Sequence, residues 1–185
     1  MPNWCENNVR LEVPNKEEKD KIIAVLDSDS DGGKDIGLLN YLMPEPSEEY
    51  TDGDDTKDKD KIFPDWYSWR CTNWGTKWDV DIQHWNVADN GDGSYTFNMS
   101  FDSAWSPPLG VYDEVYKKHD QGWNMSGTYI EGGMCFMGYY EDGTDNSFDI
   151  GTRTTTEAPD WLVDEFSWHY DMQDEYEQED DVELV

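Results

Sequence analysis

The chain sets 43 Asp and Glu against 13 Lys and Arg over 185 residues, a formal charge of -30. Affinity for a nucleic-acid backbone or an anionic membrane surface comes from cations, so both are disfavoured; a basic partner, divalent cations or plain solubility fit better. Ten Trp, eleven Tyr and six Phe supply a core for one domain, since each aromatic side chain buries about 150–250 Å².

Val9-Arg10-Leu11-Glu12-Val13 alternates as a half-buried strand does, and Pro14 stops it. Asn15 and Glu18 sit at capping-box spacing before a helix with Ile22, Ile23, Val25 and Leu26 on its apolar side. An acidic turn over 27–33 follows. Leu38, Leu39, Tyr41, Leu42 and Met43 form a short apolar patch. Residues 45–61 read as an acidic surface insertion with little to bury.

Trp66, Trp69, Arg70, Asn73 and Trp74 fall at helical spacing and Gly75 closes the helix. A hairpin follows, Val80–Trp85 and Tyr95–Phe101 around Asp89-Asn90-Gly91-Asp92-Gly93. Ser106 and Pro107 are placed to start a helix carrying Leu109, Val111, Tyr112, Val115 and Tyr116. Strands are expected from Ser126 to Ile130 and from Met134 to Tyr140, a turn at Glu141–Thr144, and an edge at Phe148–Gly151. A last helix, Pro159 to Tyr176, would carry Trp161, Leu162, Phe166, His169 and Tyr170 on one side. The order contains a split β-α-β-β-α-β pattern, so the expectation is an α+β, ferredoxin-like antiparallel sheet with helices on one face. One domain should span 1–170, with an acidic helix end and tail over 171–185.

Four groups of residues recur together in a known pattern: Pro2-Asn3-Trp4-Cys5 with Asn8; Trp69-Arg70 with Asn73-Trp74-Gly75-Thr76-Lys77-Trp78-Asp79; Phe101 with Ala104-Trp105-Ser106-Pro107-Pro108; and Tyr129, Glu131, Gly133, Phe136 and Gly138. This set resembles the YubB-like ferredoxin-fold domain family carried by phages and plasmids. The resemblance implies a ferredoxin-like fold without an iron–sulfur cluster and an accessory role on a mobile element, and it carries no established activity. The insertion 45–61 and the tail from Asp171 have no counterpart in the pattern.

The candidate chemistry is sparse. Trp69, Arg70, Asn73, Trp74, Lys77, Trp78 and Asp79 make either a binding surface or a structural corner in which Lys77 pairs with Asp79 and Asn73 bonds backbone. Tyr129 and Glu131 are further candidates for binding: Glu131 is a general base if buried and unpaired, or a salt-bridge or backbone acceptor. Asp27-x-Asp29-x-Asp31-Gly32 copies the first half of a calcium loop, but its twelfth position is Leu38, so an acidic turn is expected there instead. Gly32-Gly33-Lys34 lacks the strand and spacing of a phosphate loop. His84, His119 and His169 are scattered and Cys5, Cys71 and Cys135 form no CxxC pair, so neither metal nor disulfide framework is expected and a reduced compartment fits. Tyr95, Phe97 and Trp85 could offer rings to RNA, but cations are scarce. No signal-like start and no span of ~20 apolar residues is present, which points to the cytoplasm.

These features lead to a non-enzymatic protein without cofactor. Asp171, Asp174, Glu175, Glu177, Asp180 and Asp181 would engage a host or defence protein that has a basic surface, by imitation of nucleic acid. The other reading is a module for a nucleotide-like ligand, stacked in an aromatic pocket of Trp69, Trp74, Trp78 and Tyr129.

Overall fold

The computed structural model describes residues 3–28, 37–46, 65–151 and 156–170. The turn residues 29–34, the insertion from 47 to 61 and the acidic tail 171–185 therefore lie outside the described residues.

In chain order the elements are β1 (Trp4–Val13), α1 (Lys16–Ser28), α2 (Leu38–Leu42), α3 (Trp66–Asn73), β2 (Ile82–Asp89), β3 (Tyr95–Ala104), α4 (Leu109–Tyr116), β4 (Asn124–Glu131), β5 (Phe136–Glu141), β6 (Thr144–Asp149) and α5 (Asp160–Glu165). A single 3-10 turn, His119–Gln121, sits between α4 and β4. The strands form one six-stranded sheet in the order β2-β3-β1-β4-β5-β6, antiparallel throughout. The protein is thus an α+β protein built on an antiparallel sheet. No helix among the described residues is long and apolar enough to cross a membrane.

β1 is the central strand, and its alternation sets the two faces. Cys5, Asn7, Val9, Leu11 and Val13 are buried on one side. In register with them, β3 contributes Phe97, Met99 and Phe101 and β4 contributes Met125. Over this face α1 lays Ile22, α2 lays Leu38, Leu39 and Leu42, α3 lays Trp69, and α4 lays Val111, Tyr112 and Val115. Fully burying side chains of this size contributes roughly 1.5–3 kcal/mol each, so this face carries most of the fold's stability. α1 starts as expected, with the Glu18 amide donating to Asn15 Oδ1 at 3.0 Å.

α4 approaches α3 so closely that a Cβ on Gly110 would stand 1.7 Å from the Asn73 carbonyl oxygen. In the absence of that Cβ, the Gly110 amide donates to the Trp74 carbonyl at 3.2 Å. The β5–β6 hairpin turns on Asp142 and Gly143, with φ of 50° and 72°; two successive left-handed residues are what a tight hairpin needs.

Three expectations are corrected. The helices do not all lie on one face: α5 packs Leu162, Val163 and Phe166 against Ile130 and Met137, and these strand residues alternate with Tyr129 and Gly138, so α5 covers the opposite side. Ser106 does not cap α4, which begins at Leu109; its hydroxyl donates to the Gly75 carbonyl and ties the corner before β2 instead. The last helix does not run unbroken: Phe166, at φ -103° and ψ 30°, interrupts it. Val163 rather than Trp161 joins the buried side, and Trp161 remains 50% exposed.

Candidate functional site

The Trp-rich block forms a packed corner. Asp65 caps α3 by accepting from the Ser68 amide at 2.7 Å. Trp69 and Trp74 meet edge to face at 5.9 Å, both buried, and the Trp74 indole donates to the Met43 carbonyl at 2.9 Å. Arg70 lies over Trp66 and Trp74, at 5.1 and 4.8 Å, and is ion-paired with Glu45. Asn73 bonds backbone, donating to the Trp69 carbonyl at 2.9 Å.

The expected Lys77–Asp79 pair is not formed. Asp79 accepts from the Leu39 and Asn40 amides, satisfying two free N-terminal amides of α2, and from the Val80 amide. Burial pushes the Asp79 carboxyl up, and those amides pull it back. Lys77 instead stands over Trp78 at 4.4 Å, Tyr67 at 5.5 Å and Trp105 at 5.7 Å. Each such contact is worth about 0.5–2 kcal/mol.

Tyr129 and Glu131 lie on β4, across β1 from the corner, with Tyr129 opposite Asn7. The buried Tyr129 hydroxyl donates to Asp145 at 2.6 Å; burial, then this hydrogen bond, raises its pKa well above the usual phenol range. Glu131 is buried, with one oxygen accepting from the Gly133 amide at 3.0 Å and the other from the Met134 amide. It shapes the β4–β5 connection as a backbone acceptor. With Trp69, Trp74 and Tyr129 buried, the four expected rings do not wall a pocket.

The histidines stay apart: His84 on β2, His119 in the 3-10 turn, and His169 with its ring against Gly132. Burial lowers the His169 pKa from its ordinary value. Cys5 is buried, Cys71 half-buried and Cys135 exposed, all as free thiols. Burial, with a further contribution from Glu131, raises the Cys5 thiol far above the usual range. No group of three His, Cys, Asp or Glu among the described residues is placed to hold a metal ion. Phe97, with Trp85 and Tyr95 beside it, packs into the core beneath α1–α4, so these rings do not form an open stacking platform.

Several clefts open to solvent among the described residues. One, about 240 Å³, lies beside Trp4 and Trp78 and is bordered by Asp81, Gln83 and Asp102. The two indoles are 6.0 Å apart and tilted by 35°, with Trp4 50% exposed. Glu6 and Asp102 face each other across β1 and β3, and like charges so paired destabilise a sheet. Burial, then the Asp102 charge, pushes the Glu6 carboxyl up. Gln83 steadies Asp102 with a 2.6 Å hydrogen bond.

The larger cleft, about 790 Å³, lies between α5 and the sheet face away from α1–α4. Its floor is the polar alternate of four strands: Asn86, Asn98, Ser100, Asn8, Ser126 and Thr128. Sequence reasoning missed it, because each of these reads simply as the solvent side of a strand, and only the register brings them together. No protein family, curated protein or solved structure matches the chain.

Proposed function

We propose that this chain is a binding protein rather than a catalyst, and that it engages a protein with a basic surface. One observation carries the reading. Asp81 and Asp102 line the Trp4–Trp78 cleft and Glu6 stands opposite Asp102, with no ion pair to any of the three among the described residues. Of the described cations, Arg10, Lys16, Lys19, Lys21, Arg70 and Lys117 pair with carboxylates, Lys118 lies over Trp123, and Lys77 lies over Trp78, an indole of the cleft wall, without pairing with its carboxylates. A cleft walled by indoles and rimmed by surplus carboxylates suits an arginine or lysine side chain from a partner.

The finer reading is a ferredoxin-like domain of the YubB-like family, acting in the cytoplasm as a phage or plasmid accessory protein on a host or defence protein. The order β4-β1-β3-β2 within the sheet, with α1 and α4 in the two crossovers, supports the ferredoxin-like part. The mimicry of nucleic acid rests on the charge of -30 and on the clustered acids of the tail.

Fluorescence anisotropy with a labelled arginine-rich peptide tests the proposal. Binding is expected at low salt, to weaken steeply at high salt, and to fall about tenfold in Trp4→Ala and Asp102→Asn, the scale of one lost cation contact. Removal of the residues after Tyr170 tests mimicry separately. Salt-insensitive binding, or equal affinity in both cleft variants, refutes the cleft; full binding by the shortened chain refutes the tail's part.

A further inference from the structure

The larger cleft goes beyond this reading and stands without it. Its volume, about 790 Å³, falls within the roughly 300–1,000 Å³ of small-molecule sites. Its floor is organised before any ligand arrives. Ser100 Oγ donates to Asn8 Oδ1 at 2.9 Å, and Asn8 Nδ2 donates to Glu165 at 3.2 Å. Thr128 Oγ1 donates to the same Glu165 oxygen at 2.6 Å, so one chain of hydrogen bonds ties β3, β1 and β4 to α5. Asn98 donates to Asn86 at 3.2 Å. Among the aromatic residues of the lining, Trp161 is half exposed, with its ring fixed at 5.2 Å from Tyr139 by an edge contact.

The chemistry of the lining selects the ligand. A phosphate or polyanion needs donors and finds Glu141 and Glu165 at the rim. A cation needs acceptors alone, and here it would meet the Arg10 guanidinium and the carboxamide donors of Asn86 and Asn98. Arg10, the cation of the floor, is held by Glu12 at 2.6 Å. What remains are carboxamides and hydroxyls, each both donor and acceptor. Their complement is a ligand whose every substituent is also both, with an apolar face for an indole. A sugar ring has that pattern, hydroxyls around its edge and C–H groups on its faces.

We infer that the cleft between α5 and the sheet binds a neutral saccharide, held by Asn8, Asn98, Ser100, Ser126 and Thr128 and stacked on Trp161. The full-length protein, ¹⁵N-labelled, is titrated in turn with cellohexaose, mannohexaose, chitohexaose and adenosine, with the side-chain amide signals of Asn8 and Asn98 and the Trp161 indole signal followed by NMR. At least one of the three sugars is expected to move these signals together. Trp161→Ala should bind that sugar about tenfold more weakly, the scale of one lost stacking contact; its exposed position leaves the fold intact. Asn98→Ala, which removes a floor amide without touching the wall, should weaken binding as well. Signals that stay still with all three sugars at millimolar concentration overturn the inference. So do unchanged affinities in both variants, or a response to adenosine alone.

Discussion

The two faces of the sheet are built from the same strands and have opposite fates. Toward α1–α4 the alternation presents Val9, Leu11, Phe97, Met99 and Phe101, and helices from two connections close over them. Toward α5 the same strands present Asn8, Asn98, Ser100, Ser126 and Thr128. Only the end around Ile130 and Met137 is apolar enough to hold a helix. The difference teaches that stability here is concentrated on one side, which frees the other to carry polar side chains in a fixed arrangement.

The largest test of that division is Trp74→Ala. It removes a fully buried indole and leaves the Met43 carbonyl without its donor, so a loss of about 3–5 kcal/mol is expected in chemical denaturation. A loss below about 1 kcal/mol, the scale of an ordinary surface change, breaks the assignment of stability to this face. Leu162→Ala on the opposite side should be milder, about 2 kcal/mol at the low end for such a truncation. Hydrogen exchange sharpens the contrast: amides of α5 should lose protection while those of β1 and β3 keep theirs. Equal loss everywhere would make the two clusters one cooperative unit.

The smallest effect is a pH dependence on the α5 side. The folded protein resists protonating His169, because burial lowers its pKa below the ordinary 6.5. Below 6.5 the unfolded chain therefore binds more protons, and the fold loses stability as the pH falls through that window. Replacement by Phe should flatten the slope of unfolding free energy against pH between 7 and about 5, the range where histidine titrates. An NMR titration of His169 centred at or above 6.5 would contradict it.

Much of this architecture was readable from residue order. The alternation of Val9, Leu11 and Val13 marked β1, and the spacing of Trp69, Asn73 and Trp74 marked α3. The first half of β1 was hidden because its inward residues are Cys5 and Asn7. Asn7 is tolerated in the core because its amide donates to the Cys5 and Phe101 carbonyls and to Ser103. Helical spacing revealed α5 but not the face it would take, since that depends on which ends of β4 and β5 are apolar. Of the candidate residues, Trp69, Arg70, Asn73 and Trp74 do fall together. Tyr129 and Glu131 serve a different part of the sheet, and no local pattern announces that.

The central place of β1 has a consequence for biosynthesis. Its two partners, β3 and β4, begin at Tyr95 and Asn124, so β1 leaves the ribosome long before either of its edges can be covered. Until then a ten-residue segment with Val9, Leu11 and Val13 on one side is open to pairing with any neighbouring chain, and contacts of such long sequence separation form slowly. Glu6, Arg10 and Glu12, set along its other side, are the charges that keep a nascent strand of this kind from joining its own copies.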